Sequence, residues 1–377
     1  MYIERLQLTN FKNYEEVDVR FSNNVNCLVG NNGVGKTNLL DALYYLSFCK
    51  SYFNAIDTQN IRTGADFFAI HGCYMTDEET GRDSVTVSCT LQRGQPKKIK
   101  YNKKLCTSFA DHIGRLPLVI VTPSDQALIL GGSENRRKFI DGIISQVDKD
   151  YLHAIIAYQK ALEQRNRLLK QCFENRYFEE ETISVWDEQL VRYGEPIVAA
   201  RRRLLEEFVP LFQAYYTLIH PQADSTERPT IQYITHLEDG APTLAQQLEE
   251  ARQRDAQVLY TTVGPHKDDL QFSIGPYTVK RFGSQGQQKT FLLALKLAQF
   301  EYIHTHLGVK PLLLLDDVFD KLDMLRVSQL VLLVGSDRFG QVLLTDTQQG
   351  RVETIFKQAP DMPHSIFHVE EGKLREL

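Results

Sequence analysis

Eight residues near the N-terminus combine glycines with a lysine and a threonine: Gly30-Asn31-Asn32-Gly33-Val34-Gly35-Lys36-Thr37. Every fixed position fits GxxxxGK[ST], and the segment follows an apolar run and precedes a helical pattern. The glycines let successive backbone N–H groups converge on phosphate oxygens, and the start of the helix adds its positive dipole end. We expect Lys36 to reach the β- and γ-phosphates and the Thr37 hydroxyl to bind Mg²⁺. The segment therefore predicts a site for a nucleoside triphosphate with Mg²⁺.

Two adjacent carboxylates follow a wholly apolar run, Leu312–Leu315. A buried strand of this kind would deliver Asp316 to the magnesium ion, and Asp317 would accept a proton from the attacking water or orient it. Adjacent acids also cap helices, so the pair alone is weak evidence. Together with the glycine-rich segment, it makes Thr37 and Asp316 the predicted metal ligands. The predicted catalytic residues are Asp317, Asp316 and Lys36.

A third motif, FGSQGQQK at residues 282–289, precedes a long helical pattern. It resembles the LSGGQ-type motif of ABC ATPases, in which a serine and a glycine open a helix that faces a γ-phosphate. In that family the motif closes over ATP held by the partner subunit. The resemblance makes Ser284, Gln285 and Gly286 predicted ATP-binding residues that act in trans, and a simple helix start is the alternative interpretation.

Two further segments resemble parts of the same ATPases. Residues 320–323 (DKLD) match the D-loop, and residues 341–347 (QVLLTDT) occupy the place of the switch strand. Most ABC transporters and SMC heads carry a histidine in that strand, whereas this chain has Thr345 and Asp346. Either Thr345 or Asp346 takes the role of γ-phosphate sensor, or the role is absent.

Hydrophobic periodicity predicts the elements that position these motifs. The first 21 residues alternate as strands, Val25–Val29 is a short apolar strand, and the leucines after Thr37 have helical spacing. Residues 69–101 have a period of two, which is typical of an antiparallel sheet, and residues 116–122 form another buried-strand pattern.

The middle of the chain is mainly helical, and its last third alternates helix and strand. Residues 134–220 carry helical periodicity, with kinks or breaks expected at Pro196 and Pro210. Further helices are predicted at 243–259, 286–306 and 322–334, and further strands at 270–274, 277–280, 311–315 and 341–344. The βαβ rhythm predicts a parallel sheet buried on both faces.

This order of elements predicts an α/β fold, an ABC-type ATPase head with an inserted, mainly helical arm. The head is discontinuous and is expected to contain a mixed sheet with the glycine-rich segment. Residues 1–132 form its N-terminal part, residues 133–260 the arm, and residues 261–377 its C-terminal part.

Composition narrows the class of protein. The 377 residues are 42% hydrophobic and 24% charged, which excludes global disorder. The formal net charge of −5 excludes uniform attraction to nucleic acid or an anionic membrane, although not a local basic patch. No apolar stretch is long enough for a bilayer and no secretory signal is evident, so we expect a cytoplasmic protein with no membrane partner. The six cysteines form no CxxC pair and are expected to be reduced.

Basic residues occur in four clusters that could steer a phosphate backbone. The clusters are Arg136-Arg137-Lys138; Arg165, Arg167 and Lys170; Arg201-Arg202-Arg203; and, on the predicted hairpin, Lys97, Lys98, Lys100, Lys103 and Lys104. An ordinary solvated helix face explains each cluster equally well. Arg165 and Arg167 point to different faces of a helix, so at most one of them serves any given surface.

Several stretches, together with the order of the motifs, resemble the RecF family of bacterial recombination mediators over essentially the whole chain. The stretches are TPSD at 122–125, GGSENRRKFID at 131–141, EQRNRLLK at 163–170, WDEQL at 186–190 and GPHKDDL at 264–270. The resemblance implies a head of the SMC group, binding of double-stranded DNA when loaded with ATP, and slow hydrolysis. It also implies an ATP-dependent homodimer that acts with RecR and RecO-like mediators at single-strand gaps during repair and replication restart.

Three other functions fit part of the pattern. An SMC-like DNA-tethering scaffold needs a long coiled coil, which the short arm cannot build. A small-molecule kinase needs neither the motif at residues 284–286 nor a D-loop. The nucleotide-binding subunit of an ABC transporter is disfavoured by the inserted arm and the missing switch histidine.

Overall fold

The computed structural model describes residues 1–78, 81–175, 180–221, 228–238, 240–319, 329–331, 333–348, 350–351, 354, 356 and 362–377. The chain forms two compact units. The first contains Met1–Asp125, Tyr215–Pro221 and Leu293–Leu377, and the second contains Gln126–Ala214 and Gln222–Leu292.

The strands, in chain order, are β1 Tyr2–Phe11, β2 Tyr14–Arg20, β3 Val25–Val29, β4 Phe67–Glu78, β5 Gly81–Gln92, β6 Lys98–Tyr101, β7 Lys104–Leu105, β8 Leu118–Val121, β9 Pro229–Ile234, β10 Asp269–Ile274, β11 Tyr277–Thr278, β12 Leu312–Leu315, β13 Val342–Asp346, β14 His364–Glu370 and β15 Lys373–Glu376. The helices are α1 Lys36–Phe48, α2 Phe109–His112, α3 Ala127–Leu130, α4 Ser133–Val147, α5 Lys149–Asn175, α6 Glu180–Ile219, α7 Leu244–Val258, α8 Val279–Phe282 and α9 Gln285–Leu307.

A six-stranded sheet of the first unit brings both ends of the chain together in the order β15-β14-β3-β13-β12-β8. All neighbours except β15 and β14 run parallel, as the βαβ rhythm predicts. Every residue of β3, β8, β12 and β13 is buried. Burial on both faces of the sheet explains why β8 and β12 are wholly apolar. Because these four strands are parallel, their carboxyl ends share one edge of the sheet.

The predicted antiparallel sheet of the first unit has the strand order β2-β1-β4-β5-β6-β7. Its buried face shares one hydrophobic core with α1 and with the parallel sheet. The leucines of α1 at positions 39, 40, 43 and 46 lie in this core, together with Leu312 and Leu314 from alternate positions of β12. This packing fixes where α1 begins, and therefore where the glycine-rich segment ends.

The second unit contains α4, α5, α7, residues 180–214 of α6, and a three-stranded sheet in the order β11-β10-β9. Of the kinks or breaks expected at Pro196 and Pro210, the breaks do not occur, since α6 runs continuously through both prolines. Buried side chains on either side of them, including Ile197, Phe208 and Phe212, hold the helix together despite the lost backbone donors.

Three further expectations concern the strand at 277–280, the segment 320–334 and the division into head and arm. The strand expected at 277–280 stops at Thr278, and residues 279–282 form the helical turn α8. The D-loop at 320–323 and most of the helix expected at 322–334 lie outside the described residues. The division into head and arm stays a prediction, and the compact units differ from it because residues 261–292 group with the helices.

Candidate functional site

The glycine-rich segment connects the end of β3 to the start of α1 with left-handed backbone at Gly30, Gly33 and Gly35, whose φ angles are 155°, 81° and 119°. A Cβ atom on Gly30 would lie 2.4 Å from the carbonyl oxygen of Val369. Gly35 is equally confined, since a Cβ there would lie 2.8 Å from the hydroxyl of Tyr14. The segment therefore requires glycine both for its conformation and for the close approach of its neighbours.

Lys36 folds back over this loop. Its Nζ donates hydrogen bonds to the carbonyl oxygens of Gly30, at 2.6 Å, and of Asn31, at 2.8 Å. Burial lowers the pKa of Lys36, and the carboxylates of Asp317 and Asp316 oppose that shift. The ammonium group is thus held at the mouth of the loop, where a phosphate group would meet it.

The turn between β1 and β2 braces the loop from outside. The Tyr14 hydroxyl donates to the carbonyl oxygen of Gly35 at 2.9 Å, and Asn13 Nδ2 donates to that of Val34 at 2.9 Å. Asn38 Nδ2 in turn donates to Asn13 Oδ1 at 2.7 Å. Sequence reasoning missed this brace because Asn13 and Tyr14 belong to no motif, and only the strand pairing brings them to the loop.

Asp316 directly follows the last residue of β12, and its carboxylate contacts two hydroxyl groups. Thr37 Oγ1 lies 2.9 Å from Oδ1 and 3.0 Å from Oδ2 of Asp316. Thr345 Oγ1, at the end of β13, donates to Asp316 Oδ1 at 2.9 Å. Burial raises the pKa of Asp316, and the hydrogen bonds from Thr345 and Thr37 act in the opposite direction by stabilising the carboxylate.

Asp317 adopts left-handed backbone, with a φ of 49°, and its N–H donates to Thr345 Oγ1 at 2.9 Å. The glycine-rich segment, the two acids and Thr345 together border a cleft of about 170 Å³ in the first unit. Its lining residues are Asn32, Gly33, Gly35, Lys36, Thr37, Asn38, Asp316, Asp317, Thr345 and Thr347. The predicted catalytic residues Lys36, Asp316 and Asp317 therefore meet at one site. Asn38 and Thr347 were not foreseen.

The two residues of the switch strand that were candidates for the γ-phosphate sensor, Thr345 and Asp346, have different partners. Thr345 contacts both acids of the cleft, whereas the Asp346 carboxylate pairs with the Arg351 guanidinium at 2.6 Å and accepts from the N–H of Gln348 at 2.8 Å. Successive side chains of a strand point to opposite faces, and of these two residues it is Thr345 that borders the cleft.

The donor set at the cleft fits Mg²⁺, which takes oxygen ligands and usually keeps waters and substrate phosphates in its shell. The Thr37 hydroxyl and the Asp316 carboxylate are hard oxygen donors that already touch each other. Across the described residues, no group of three or more His, Cys, Asp or Glu side chains forms a metal cage. A site that shares its ion with phosphates does not need such a cage.

The motif at residues 284–286 belongs to the second unit and opens α9. Ser284 Oγ accepts from the N–H of Gln287 at 3.1 Å, and Gln287 Oε1 accepts from the N–H of Ser284 at 2.9 Å. This reciprocal pair is a capping box, so the residues do form a helix start. Ser284 and Gln285 are exposed, and Gly286 is half-buried.

The sequence matches a known protein family over almost the whole chain. The family model for the RecF/RecN/SMC N terminal domain matches residues 2–374. A protein of Phocaeicola vulgatus named DNA replication and repair protein RecF is 46% identical over 377 residues, covering 100% of this chain and 98% of that protein. The chain belongs to the RecF family. A RecF of Flavobacterium johnsoniae is also 46% identical, over 370 residues, with coverage of 98% and 100%.

Solved structures lead to the same family. The structure of the recombination mediator protein RecF-ATPrS in the RecFOR pathway matches with a TM-score of 0.88 and 28% identity, covering 100% of this chain and 98% of that one. An Smc head domain from Pyrococcus furiosus matches with a TM-score of 0.58 and 18% identity, covering 100% and 96%, and shows the fold alone. The predicted ABC-type head of the SMC group is therefore confirmed.

In this RecF-family chain, three of the basic clusters contain an arginine that is committed to the interior of the second unit. Arg136, Arg165 and Arg201 are 8%, 0% and 1% exposed. Each pairs with aspartates at distances between 2.6 and 3.2 Å: Arg136 with Asp269, Arg165 with Asp187 and Asp255, and Arg201 with Asp141 and Asp268. The prediction that these three arginines could contact DNA is wrong, because their charges are already neutralised inside the fold.

The GPHKDDL stretch at residues 264–270 supplies several partners of these arginines. Asp268 and Asp269 form ion pairs with two of the buried arginines, and Arg137 Nη1 donates to the carbonyl oxygen of Asp268 at 2.7 Å. His266 Nε2 donates to the carbonyl oxygen of Thr261 at 3.0 Å, and Nδ1 accepts from the Tyr158 hydroxyl at 2.7 Å. Burial lowers the pKa of His266 to about 4, so the ring is neutral at pH 7.

Among the helices in the described part of this family member, none has the length and apolar character needed to cross a membrane.

Proposed function

We propose that this RecF-family chain is an ATP-switched DNA-binding protein that mediates recombination in DNA repair and replication restart at single-strand gaps. The observation that carries the proposal is the contact of Thr37 with Asp316, since it joins the phosphate loop to the acidic strand in one cleft. The names of the relatives and the ATP-bound structure of a related mediator support it.

Each residue of the cleft has a distinct role in this proposal. Backbone N–H groups from Gly30 to Thr37 and the Lys36 ammonium bind the triphosphate of ATP. Thr37 and Asp316 hold Mg²⁺, which when bound neutralises charge on the phosphates. Asp317 accepts a proton from the attacking water or orients it, and ATP turnover is slow because the nucleotide acts as a switch.

The exposed start of α9 supports assembly in trans. Ser284, Gln285 and Gly286 are preorganised by the capping box, and Ser284 and Gln285 face solvent. In a two-fold homodimer each such turn would close over ATP held by the other subunit, which gives two composite sites. Loss of the γ-phosphate removes that contact and releases the dimer from DNA.

The partners proposed for the assembled dimer are double-stranded and gapped or single-stranded DNA, RecR and RecO-like mediators. We place it in the cytoplasm. The SMC-like tethering scaffold is the alternative. It is disfavoured because α5 and α6 have 27 and 40 residues, so at 1.5 Å per residue they extend only about 40 and 60 Å.

The edge of the antiparallel sheet offers a surface for the DNA. Lys98, Lys100, Lys103 and Lys104 are exposed on β6, β7 and their connecting turn, which we call the lysine hairpin. Ile99 is 1% exposed and anchors the hairpin from the opposite face. None of these four lysines has an ion pair or hydrogen bond from its side chain within the described ranges. Unlike the buried arginines, they remain available to phosphates.

Neutralising the lysine hairpin tests this surface. Changing its four lysines to glutamine should weaken ATP-dependent DNA binding. It should also reduce the magnitude of the slope of log K for DNA binding against log salt concentration by about 0.9 for each phosphate that is no longer neutralised. The matched control changes four exposed members of the arm clusters, Lys138, Arg167, Lys170 and Arg203, to glutamine. Both variants alter the net charge equally. A loss of binding confined to the control variant would move the DNA surface to the arm.

A further inference from the structure

The hydroxyl group of Thr345 both donates and accepts a hydrogen bond. Its Oγ1 donates to Asp316 Oδ1 at 2.9 Å and accepts the N–H of Asp317 at 2.9 Å. The residue is 1% exposed, although it borders the cleft. A hydroxyl has a single hydrogen to donate, and in Thr345 that hydrogen is given to Asp316.

We propose that Thr345 is a positioning residue for the acidic pair and not a sensor of the γ-phosphate. The role rests on the proposed function, because it concerns the acids assigned there to Mg²⁺ and water. Asp346, the other candidate on the strand, is committed to Arg351 and cannot substitute for it.

The first effect of Thr345 is on the carboxylate of Asp316. The single hydrogen of the Thr37 hydroxyl lies within reach of both oxygens of Asp316, whereas Thr345 donates to Oδ1. The bond from β13 fixes the rotation of the carboxylate group, so that both of its oxygens stay within reach of Thr37. Partners of this kind orient a metal-binding carboxylate without touching the metal.

The second effect is on the backbone of Asp317. A φ of 49° is uncommon for a residue other than glycine and persists where the surroundings over-determine it. The N–H of Asp317 has its acceptor in Thr345, on the neighbouring strand. The hydroxyl therefore holds Asp317 in the conformation that directs the chain out of β12 beside the cleft.

Two substitutions separate the hydroxyl from the shape of the side chain. Thr345→Val keeps the branched shape and removes the hydroxyl, while Thr345→Ser keeps the hydroxyl. The measurements are ATP affinity in EDTA, ATP affinity in Mg²⁺, and the hydrolysis rate at saturating ATP. We expect Thr345→Val to reduce the Mg²⁺-dependent gain in affinity and the hydrolysis rate by about 10- to 100-fold. Affinity in EDTA should stay within about twofold, because Lys36 and the loop are untouched.

Thr345→Ser should behave as the wild type in all three measurements. A serine variant as defective as the valine variant overturns the role of the hydroxyl, and so does a valine variant with an unchanged Mg²⁺ gain and hydrolysis rate. An equal loss of affinity in EDTA and Mg²⁺ also overturns it, because that result indicates general damage to the loop.

If Thr345→Val does not fold, Thr345→Ala takes its place with the same expected losses. A wild-type chain that binds no ATP in either condition overturns the proposed function and this role together. Normal ATP binding by the wild type with an unaffected Thr345→Val overturns the role of Thr345 alone.

Discussion

The Thr37 hydroxyl and the Asp316 carboxylate are 2.9 Å apart although 279 positions separate them in the sequence. The parallel order of β3, β13 and β12 produces this contact, because it aligns the carboxyl ends of strands from opposite ends of the chain. The proposed metal site uses one oxygen ligand from each of these two elements, so it needs both of them in place. The sheet is therefore what turns two separate motifs into one candidate site.

Replacing Lys36 with alanine should abolish ATP binding and leave the fold intact. Its ammonium donates to two carbonyl oxygens of the loop, so the free energy of unfolding should change by no more than about 1 to 2 kcal/mol. Titration calorimetry with ATP and a thermal melt check both expectations. Lys50→Ala, at an exposed position of the same unit, is the control. ATP binding by Lys36→Ala at wild-type affinity would refute the assignment of the phosphate loop.

Asp317→Asn should reduce hydrolysis by about two or more orders of magnitude while ATP binding persists. Asparagine tolerates the left-handed backbone of this position, so the substitution should remove charge without strain. Single-turnover hydrolysis and light scattering should reveal a long-lived ATP-bound dimer. Asp337→Asn, an exposed position, is the control. Hydrolysis near the wild-type rate in Asp317→Asn would mean that another group handles the water.

Ser284→Arg should separate ATP binding from assembly. The arginine would obstruct the approach of a second subunit at α9, while the phosphate loop of the same chain would bind ATP normally. We expect monomers at every ATP concentration and loss of hydrolysis. The control is Ser108→Arg, because Ser108 caps α2 by accepting from a backbone N–H in the same way. Mixing Ser284→Arg with Lys36→Ala should restore one composite site. Homodimers of Ser284→Arg that form as readily as wild type would contradict action in trans.

The His266 ring should make the stability of the second unit depend on pH. Its pKa is about 4 in the folded chain, below the ordinary value of 6.5, so the stabilisation is fully present above pH 6.5 and is lost as the pH falls towards 4. Between pH 7.5 and pH 5 the wild type should lose about 2 kcal/mol from this group.

His266→Gln should not show that loss, so the difference in unfolding free energy between wild type and variant should shrink by the same amount. Urea unfolding followed by the fluorescence of Trp186, the single tryptophan of the chain, reports on this unit. A difference that stays constant from pH 7.5 to pH 5 would contradict a neutral, buried ring.

The sequence predicted the elements and motifs whose evidence is local. The apolar runs of β3 and β12, the phosphate loop and the acidic pair are each contained within a few residues, and their order along the chain implies a parallel sheet. The two strands and the junction of loop and helix were therefore predicted at the positions where the structure has them.

Other features depend on contacts between distant parts of the chain, which the sequence pattern does not reveal. The choice between Thr345 and Asp346 depends on which face of β13 meets the cleft. The sequence pattern assigns Arg165 to a basic cluster on a helix face and does not reveal its partners, because Asp187 and Asp255 lie 22 and 90 positions away. The brace at Asn13 requires the pairing of β1 with β2 next to the loop. Tertiary packing decides each of these.

The most direct test of an ATP-switched DNA-binding function is the affinity of the wild type for duplex DNA at one stated ionic strength. It should be measured by fluorescence anisotropy without nucleotide, with ADP, and with ATP and Mg²⁺. We expect ATP with Mg²⁺ to raise the affinity at least about tenfold, ADP to leave it unchanged, and Lys36→Ala to gain nothing from ATP. Equal affinity under all three conditions, or an unimpaired gain in Lys36→Ala, would contradict an ATP-switched DNA-binding protein.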